Sequence, residues 1–219
     1  MHPTDLRRAL TLYAVTDDAW LNGRTLASCV AQALEGGATF VQLRDKHATT
    51  AELVEQARTI LPLCRASGVP FVINDDVEAA RRSGADGVHV GQSDAACADA
   101  RAALGPNAIV GVSASTVGEA LAAQAAGADY LGVGAVFGTP TKTDAQVTGI
   151  DGLAAICAAV DIPTVAIGGL NERTIPALAG SGTDGVAVVS AIFAAPDIAS
   201  ATRNLRATVA ATLDERTFA

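Results

Sequence analysis

Short apolar runs rich in β-branched residues return eight times along this 219-residue chain, and longer Ala-rich stretches of helical character separate them. The runs are Leu12–Val15, Phe40–Leu43, Phe71–Ile73, Gly87–Val90, Ile109–Val112, Tyr130–Val136, Thr164–Ile167 and Gly185–Val189. Helices are expected to begin near Thr25, Thr50, Val77, Ala95, Thr116, Gly152, Glu172 and Asp197. Strands joined through helices pair in parallel by right-handed crossovers. Parallel strands are covered on both faces, which is why the runs are continuously apolar and do not alternate. Eight such units in so few residues predict an α/β chain closed into a single parallel (β/α)8 barrel, a TIM barrel, with residues 1–219 forming one domain. An open doubly wound sheet is the alternative, since periodicity does not prove closure.

A repeated phrase marks the turns that enter the strands. Gly-Gly-Ala-Thr (36–39), Ser-Gly-Ala-Asp (83–86), Ala-Gly-Ala-Asp (126–129) and Ser-Gly-Thr-Asp (181–184) each precede a run. The glycine can end a helix in the left-handed conformation, and the polar residue opens the next strand. No linker or charge block divides the chain. Cys29, Cys64, Cys97 and Cys157 are widely spaced in Ala-rich segments and read as reduced, apolar helix residues of a cytoplasmic protein. The apolar run after Arg7 and Arg8 is short and meets Thr16-Asp17-Asp18, unlike a secretory leader. No stretch has the roughly 18 apolar residues of a membrane span. A net charge of −8 argues against nucleic acid as a partner, yet leaves room for a small anion held by a few local cations. A homo-oligomer is compatible with the sequence.

In a parallel barrel, ligands meet the C-terminal ends of the strands, so polar residues there are the candidates for chemistry. Period-two alternation puts Gln42, Arg44 and Lys46 on one face, opposite Val41 and Leu43, as an amide and two cations suited to an anion. Asp75 and Asp94 follow the third and fourth runs, about 5 Å apart at neighbouring strand spacing, and are hard oxygen donors suited to Mg²⁺. Asp94 could equally cap the helix it precedes. Ser113 could bond a substrate heteroatom or simply start a helical turn. Gly132 and Gly134 remove side-chain volume and suggest room for a ligand. The loop over residues 137–149 carries Thr139, Thr141 and Lys142, and its length suggests a function. Gly168 and Gly169, with Val189-Ser190 after the last run, stand where barrels commonly bind phosphate. His89 sits mid-run and reads as a packed, hydrogen-bonded residue, and His2 and His47 as terminal and loop residues.

Taken in order, Gln42-Leu43-Arg44-Asp45-Lys46, Asn74-Asp75-Asp76, His89-Val90-Gly91-Gln92-Ser93-Asp94, Gly111-Val112-Ser113, Thr139-Pro140-Thr141-Lys142, Ala166-Ile167-Gly168-Gly169 and Val188-Val189-Ser190-Ala191-Ile192 resemble the thiamine phosphate synthase family over nearly the whole chain. The resemblance implies a transferase that joins 4-amino-5-hydroxymethyl-2-methylpyrimidine diphosphate to a thiazole phosphate, releasing pyrophosphate. It implies that Gln42, Arg44, Lys46, Asn74, Ser113 and Lys142 hold the pyrimidine diphosphate, with Leu43 and Asp45 of the same segment. Arg44, Lys46 and Lys142 would stabilise the leaving group, and Asp75 and Asp94 would bind Mg²⁺ on the diphosphate. Thr139, Pro140, Thr141, Gly168, Gly169, Val189 and Ser190 would hold the thiazole phosphate. Two positions depart from the family pattern: Gly138, where proline is frequent, and Asp45, where glutamate is frequent. A thiazole tautomerase of related fold would need a base but no diphosphate machinery. A non-catalytic barrel binding thiamine intermediates is the other alternative.

Overall fold

In the computed structural model the described residues are 3–92, 94–138 and 148–213, with the side chains at positions 3, 4, 94 and 95 outside that description. Eight strands pair in chain order, all parallel, and the last returns to the first to close a barrel. They are β1 (Leu12–Val15), β2 (Phe40–Leu43), β3 (Phe71–Asn74), β4 (Gly87–Val90), β5 (Ile109–Ala114), β6 (Tyr130–Val133), β7 (Thr164–Ile167) and β8 (Gly185–Val188). Closure removes the open-sheet alternative. The helices are α1 (Pro3–Ala9), α2 (Leu26–Glu35), α3 (Thr50–Ala66), α4 (Val77–Ser83), α5 (Asp94–Leu104), α6 (Val117–Ala125), α7 (Gly149–Ala159), α8 (Ser190–Phe193) and α9 (Ile198–Thr212).

Apart from shifts of one or two residues at the ends of β3, β5 and β8 and the additional short α8, three elements differ from expectation. The sixth strand stops at Val133, three residues before the apolar run ends. Beyond it, Gly134 N–H still donates to Ala114 O and Val136 N–H to Ile167 O, but these bonds no longer form a ladder. The helix expected from Glu172 is only a 3-10 turn, Ile175–Leu178. There Asn171 Oδ1 accepts from Arg173 N–H, Thr174 Oγ1 accepts from Asn171 N–H, and Pro176 has no N–H to give, so local side-chain bonds compete with helix. The third is α1, which no sequence signal suggested.

Inward-facing residues include Tyr13, Phe40, Val72, Ile109, Tyr130, Val165 and Ala187, which form one apolar cluster inside the barrel. Leu6 and Leu10 of α1 and its end join the same cluster, so α1 plugs the N-terminal mouth. Burying each leucine is worth roughly 1.5–3 kcal/mol. The outward strand faces pack under the helices in a second, larger cluster containing Cys29, Cys64 and Cys97. Helix starts are fixed by side chains. Thr49 with Glu52 and Thr116 with Glu119 form capping boxes, and Thr25, Asp76 and Asp197 each accept a backbone N–H of the first turn.

The repeated turns have a shared job at the N-terminal face. The polar residue opening each even-numbered strand accepts a backbone N–H at the start of the strand before it. Thr39 Oγ1 takes Leu12 N–H at 2.8 Å, Asp86 takes Phe71 N–H at 2.8 Å, Asp129 takes Val110 N–H at 2.7 Å and Asp184 takes Thr164 N–H at 2.8 Å. Asp129 and Asp184 also pair with Arg101 and Arg7, the latter holding α1 in place. Neighbouring strands are thus clipped in pairs, far from the mouth where ligands enter.

Candidate active site

At the C-terminal ends of the strands the barrel opens into a cavity of about 630 Å³. Its floor is made by inward residues of successive strands. Strand pairing places Gln42 beside Val15 and Val72, Asn74 beside His89, and Ser113 beside Gly132. One wall carries Gln42, Arg44, Asn74 and Asp75. Gln42 is almost wholly buried at 4% exposure. Arg44 Nη1 donates to Asp17 Oδ2 at 2.7 Å, and its backbone N–H donates to Thr16 Oγ1 at 2.8 Å. The ion pair ties the end of β1 to the end of β2 and sets where the guanidinium stands. Asp75 has a left-handed backbone, φ 61°, and its Oδ2 accepts from Asn74 Nδ2 at 2.6 Å. An aspartate tolerates this region better than most residues, so the turn presents a carboxylate to the cavity at modest strain.

The opposite wall is backbone-rich. Gly168 and Gly169 have φ 102° and 66°, and a Cβ on Gly168 would lie 2.6 Å from Ala135 Cβ. Asn171 Nδ2 and Thr174 Oγ1 both donate to Gly169 O, pinning the turn. Val189, Ser190 and Ala191 line the cavity where β8 runs into α8, whose first N–H groups have no helical partner. Arg24 crosses behind it and donates to Phe193 O and Ala195 O, as well as to Trp20 O and Leu21 O. A cation at the C-terminal end of a short helix matches its dipole and fixes its position.

A chain of side-chain hydrogen bonds crosses the floor. Gln42 Nε2 lies 2.6 Å from Tyr13 Oη, which is 2.8 Å from Tyr130 Oη. Tyr130 Oη lies 3.0 Å from His89 Nδ1, and His89 Nε2 lies 3.0 Å from Ser113 Oγ. Burial pushes both tyrosine phenols well above their ordinary range, so they are neutral hydroxyls. His89 is therefore hydrogen-bonded, as its sequence position suggested, and it also lines the cavity.

The structure brings Gln42, Arg44, Asn74, Asp75, Ser113, Gly168, Gly169, Val189 and Ser190 into one cavity. It does not bring Leu43, Asp45 or Lys46 there. Leu43 is fully buried among the outer cluster. Asp45 accepts from His47 N–H, Ala48 N–H and Gln56 Nε2, organising the β2–α3 loop. Those bonds outweigh the effect of burial and lower its pKa. Lys46 is exposed, because the strand ends at Leu43 and the alternation stops with it. Thr139, Pro140, Thr141, Lys142 and the Asp94 side chain lie outside the described residues. Among the described residues no group of three or more His, Cys, Asp or Glu is arranged as a metal cage. Asp75 supplies one hard oxygen donor beside Arg44, a set that fits Mg²⁺ shared with substrate phosphate and not an all-protein cage.

One reading needs correction. The volume freed by Gly132 and Gly134 is largely taken by protein. A Cβ on Gly132 would meet His89 Cε1 at 3.0 Å, and one on Gly134 would meet Ile167 O at 2.0 Å. Sequence reasoning also missed Asp17, Tyr13 and Tyr130. Asp17 follows a strand C-terminus and the rule applied to the other strands would have found it. The tyrosines carry no such signal, since they sit mid-strand among apolar neighbours.

A closed parallel barrel with a polar, cation-bearing cavity at the strand C-termini is a (β/α)8 enzyme of small molecules. The family model for thiamine monophosphate synthase matches residues 12–192, from β1 through nearly all of α8. The chain is 48% identical over 205 residues to the thiamine-phosphate synthase of Chloroflexus aurantiacus, covering 93% of this chain and 94% of that one. The thiamine phosphate pyrophosphorylase of Pyrococcus furiosus superposes with a TM-score of 0.88 at 41% identity, over 95% of this chain and 100% of that one. A 3-hexulose-6-phosphate synthase shares the fold alone, with a TM-score of 0.62 at 21% identity. The chain belongs to the thiamine monophosphate synthase family, and is a transferase of thiamine biosynthesis. Among the described residues no helix is long and apolar enough to cross a membrane.

Proposed function

We propose that the chain joins 4-amino-5-hydroxymethyl-2-methylpyrimidine diphosphate to 4-methyl-5-(2-hydroxyethyl)thiazole phosphate, or its carboxylated form, giving thiamine phosphate and pyrophosphate. The observation that carries this reading is a single cavity with two unlike walls. One holds an amide, a guanidinium and a carboxylate, and the other holds a left-handed glycine turn and the start of α8. Two anionic groups on two substrates can thus be held apart while their reacting atoms meet between them.

In the reaction the bond from the pyrimidine methylene carbon to the diphosphate oxygen breaks first. The electron pair leaves with pyrophosphate, and the electron-rich pyrimidine supports the methylene cation. The thiazole nitrogen then forms the new carbon–nitrogen bond. The protein's tasks are to stabilise charge on the leaving group and to align the nucleophile. Arg44 faces the leaving group from the β2 end, with Lys142 supplying further positive charge. Gln42, Asn74 and Ser113 orient the pyrimidine. Thr139, Thr141, the Gly168–Gly169 turn, Val189 and Ser190 hold the thiazole phosphate. Asp75 and Asp94 would hold Mg²⁺, which when bound neutralises diphosphate charge. No covalent nucleophile is required. The reaction belongs in the cytoplasm, where the thiols stay reduced.

The test is a joining assay on the full chain with both substrates and Mg²⁺, read by chromatography. Thiamine phosphate and pyrophosphate should form in equal amounts. Isomerised thiazole phosphate with no joined product would assign a tautomerase, and no turnover at all would leave a binding protein. Asp75→Asn keeps a residue tolerant of φ 61° and should abolish Mg²⁺-dependent turnover without lowering the melting temperature. Normal activity would remove Asp75 from the site.

A further inference from the structure

With a neutral imidazole at His89, the five side chains across the cavity floor can share their protons along the chain in two ways. Tyr13 Oη and Tyr130 Oη each have one proton, and a neutral imidazole has one between its two nitrogens. In the first arrangement Gln42 Nε2 donates to Tyr13, Tyr13 donates to Tyr130, and Tyr130 donates to His89 Nδ1. The imidazole proton is then on Nε2 and is given to Ser113 Oγ. In the second every bond is reversed: Ser113 donates to Nε2, Nδ1–H donates to Tyr130, Tyr130 to Tyr13, and Tyr13 to the carbonyl oxygen of Gln42. Mixing the two leaves a buried proton with no acceptor or two protons facing each other. The orientation of one amide therefore fixes the whole chain.

Gln42 presents Nε2, not Oε1, to Tyr13 at 2.6 Å. That orientation selects the first arrangement, since Tyr13 then has no amide oxygen to donate to. We propose that Tyr13 and Tyr130 are positioning residues that keep His89 Nδ1 as the acceptor of the chain and its proton on Nε2, so that the Ser113 hydroxyl proton is turned into the cavity as a donor. The site then selects a hydrogen-bond acceptor on the substrate atom nearest Ser113. A group that can only donate is left with the one lone pair of Ser113 Oγ that His89 does not fill. The reversed chain would make Ser113 an acceptor and invert that selection.

The packing around the chain keeps it intact. Tyr13 and Tyr130 are 2% and 0% exposed, and their rings pack edge-on against each other and against Phe40. The missing side chains at Gly111 and Gly132 make the space. A Cβ on Gly111 would lie 2.1 Å from the Tyr130 ring. Neither tyrosine can swing aside to let water relay the proton.

The tautomer is read directly by ¹⁵N NMR of histidine-labelled full chain at neutral pH, since protonated and bare imidazole nitrogens resonate far apart. The chain has three histidines, so a background carrying His2→Gln and His47→Gln leaves His89 alone. Protonation on Nε2 with a bare, hydrogen-bonded Nδ1 is expected. An Nδ1–H tautomer, or an imidazolium, would overturn the proposal without any assay of function. Tyr130→Phe removes the donor to Nδ1 and should shift the Nδ1 signal and admit the other tautomer. A folded Tyr130→Phe protein with an unchanged imidazole would show that tyrosine does not set it. The consequence for binding rests on the function proposed above. Tyr130→Phe should raise the KM for the pyrimidine diphosphate by roughly tenfold, equivalent to losing ~1.4 kcal/mol. The KM for the thiazole phosphate should stay within about twofold, well inside that 1.4 kcal/mol step. An equal rise in both would mark general damage and overturn the positioning role.

Discussion

Gly168→Ala separates the geometry of the phosphate-side turn from ordinary loop tolerance. At φ 102° the backbone lies where an L residue is disfavoured, and adopting it costs about 1–2 kcal/mol. The new methyl carbon would lie 2.6 Å from Ala135 Cβ and 2.7 Å from Ala135 Cα. Ordinary carbon contacts are about 3.5–4.0 Å, so the overlap approaches 1 Å. Neither partner is the flexible end of a side chain, and Ala135 is buried, so relief requires backbone movement. Overpacking of this kind costs about 1–3 kcal/mol. A combined loss near 3 kcal/mol lowers the melting temperature of a chain this size by roughly 6–12 °C. Gly138→Ala is the control, because its Cβ would meet nothing within 4 Å among the described residues and its φ is not positive. It should melt within about 2 °C of the parent, the shift of under 1 kcal/mol. Calorimetry gives the midpoints, and kinetics should show the KM for the thiazole phosphate rising more than that for the pyrimidine diphosphate. A Gly168→Ala protein that melts and turns over like the parent would refute the claim that this turn requires glycine.

Other outcomes follow from single contacts. Asp17→Asn leaves the Arg44 guanidinium, 17% exposed, without its countercharge and should lower stability by about 1.5–3 kcal/mol in a denaturant titration; an unchanged midpoint would mean the pair contributes nothing. All four cysteines are free, three are buried, and burial with the nearby Asp86 carboxylate pushes the Cys64 thiol up to about 12. A thiol reagent at pH near 8 should therefore label the native chain slowly and four sites after denaturation, and rapid labelling of the native chain would contradict this burial. Burial alone would raise the Glu119 pKa, but Ser115 N–H, the Ser115 hydroxyl and Thr116 N–H together hold it below the usual carboxylate range. Its contribution to stability is thus present above the ordinary glutamate pKa of about 4.3 and is lost as pH falls through the lower folded value. Glu119→Gln should flatten that acid limb of the stability curve, and a curve of unchanged slope would remove the capping box from the account.

Much of the architecture was legible because the eightfold rhythm is a consequence of parallel pairing, and four of the expected runs coincide with observed strands residue for residue. What was not legible depends on closure. The first helix is seven residues long and shows its purpose only when Leu6 and Leu10 meet a barrel interior that has been formed by distant strands. Lys46 was placed inward by extending alternation past Leu43, where the ladder has ended and the loop follows Asp45's hydrogen bonds instead. The candidate site itself was read mostly from residues after strand ends, a rule that depends on direction alone. Tyr13 and Tyr130 escaped because their hydroxyls meet across 117 positions of sequence, and an apolar strand context gives no hint of it.

The inner glycines explain why such a polar chain can exist in a barrel that must also be filled. Parallel barrels pack their interiors with layers of side chains and leave no pore. Here Gly87, Gly111 and Gly185 abut neighbouring backbone or the Tyr130 ring so closely that any Cβ would overlap, at 1.8, 2.1 and 2.0 Å respectively. Gly111 and Gly132, on adjacent strands, thus let Tyr130 and His89 lie across the barrel, where branched apolar residues would otherwise meet. Each hydroxyl and ring nitrogen of that chain finds a partner, and the one buried side-chain atom without one among the described residues, Gln56 Oε1, lies elsewhere. A fully satisfied network beneath a cavity carries little penalty and much orientation, whereas a single broken link would strand buried donors at about 1–3 kcal/mol each. Glycine at positions 111 and 132 therefore serves the orientation of the floor, and the ligand's room lies above it.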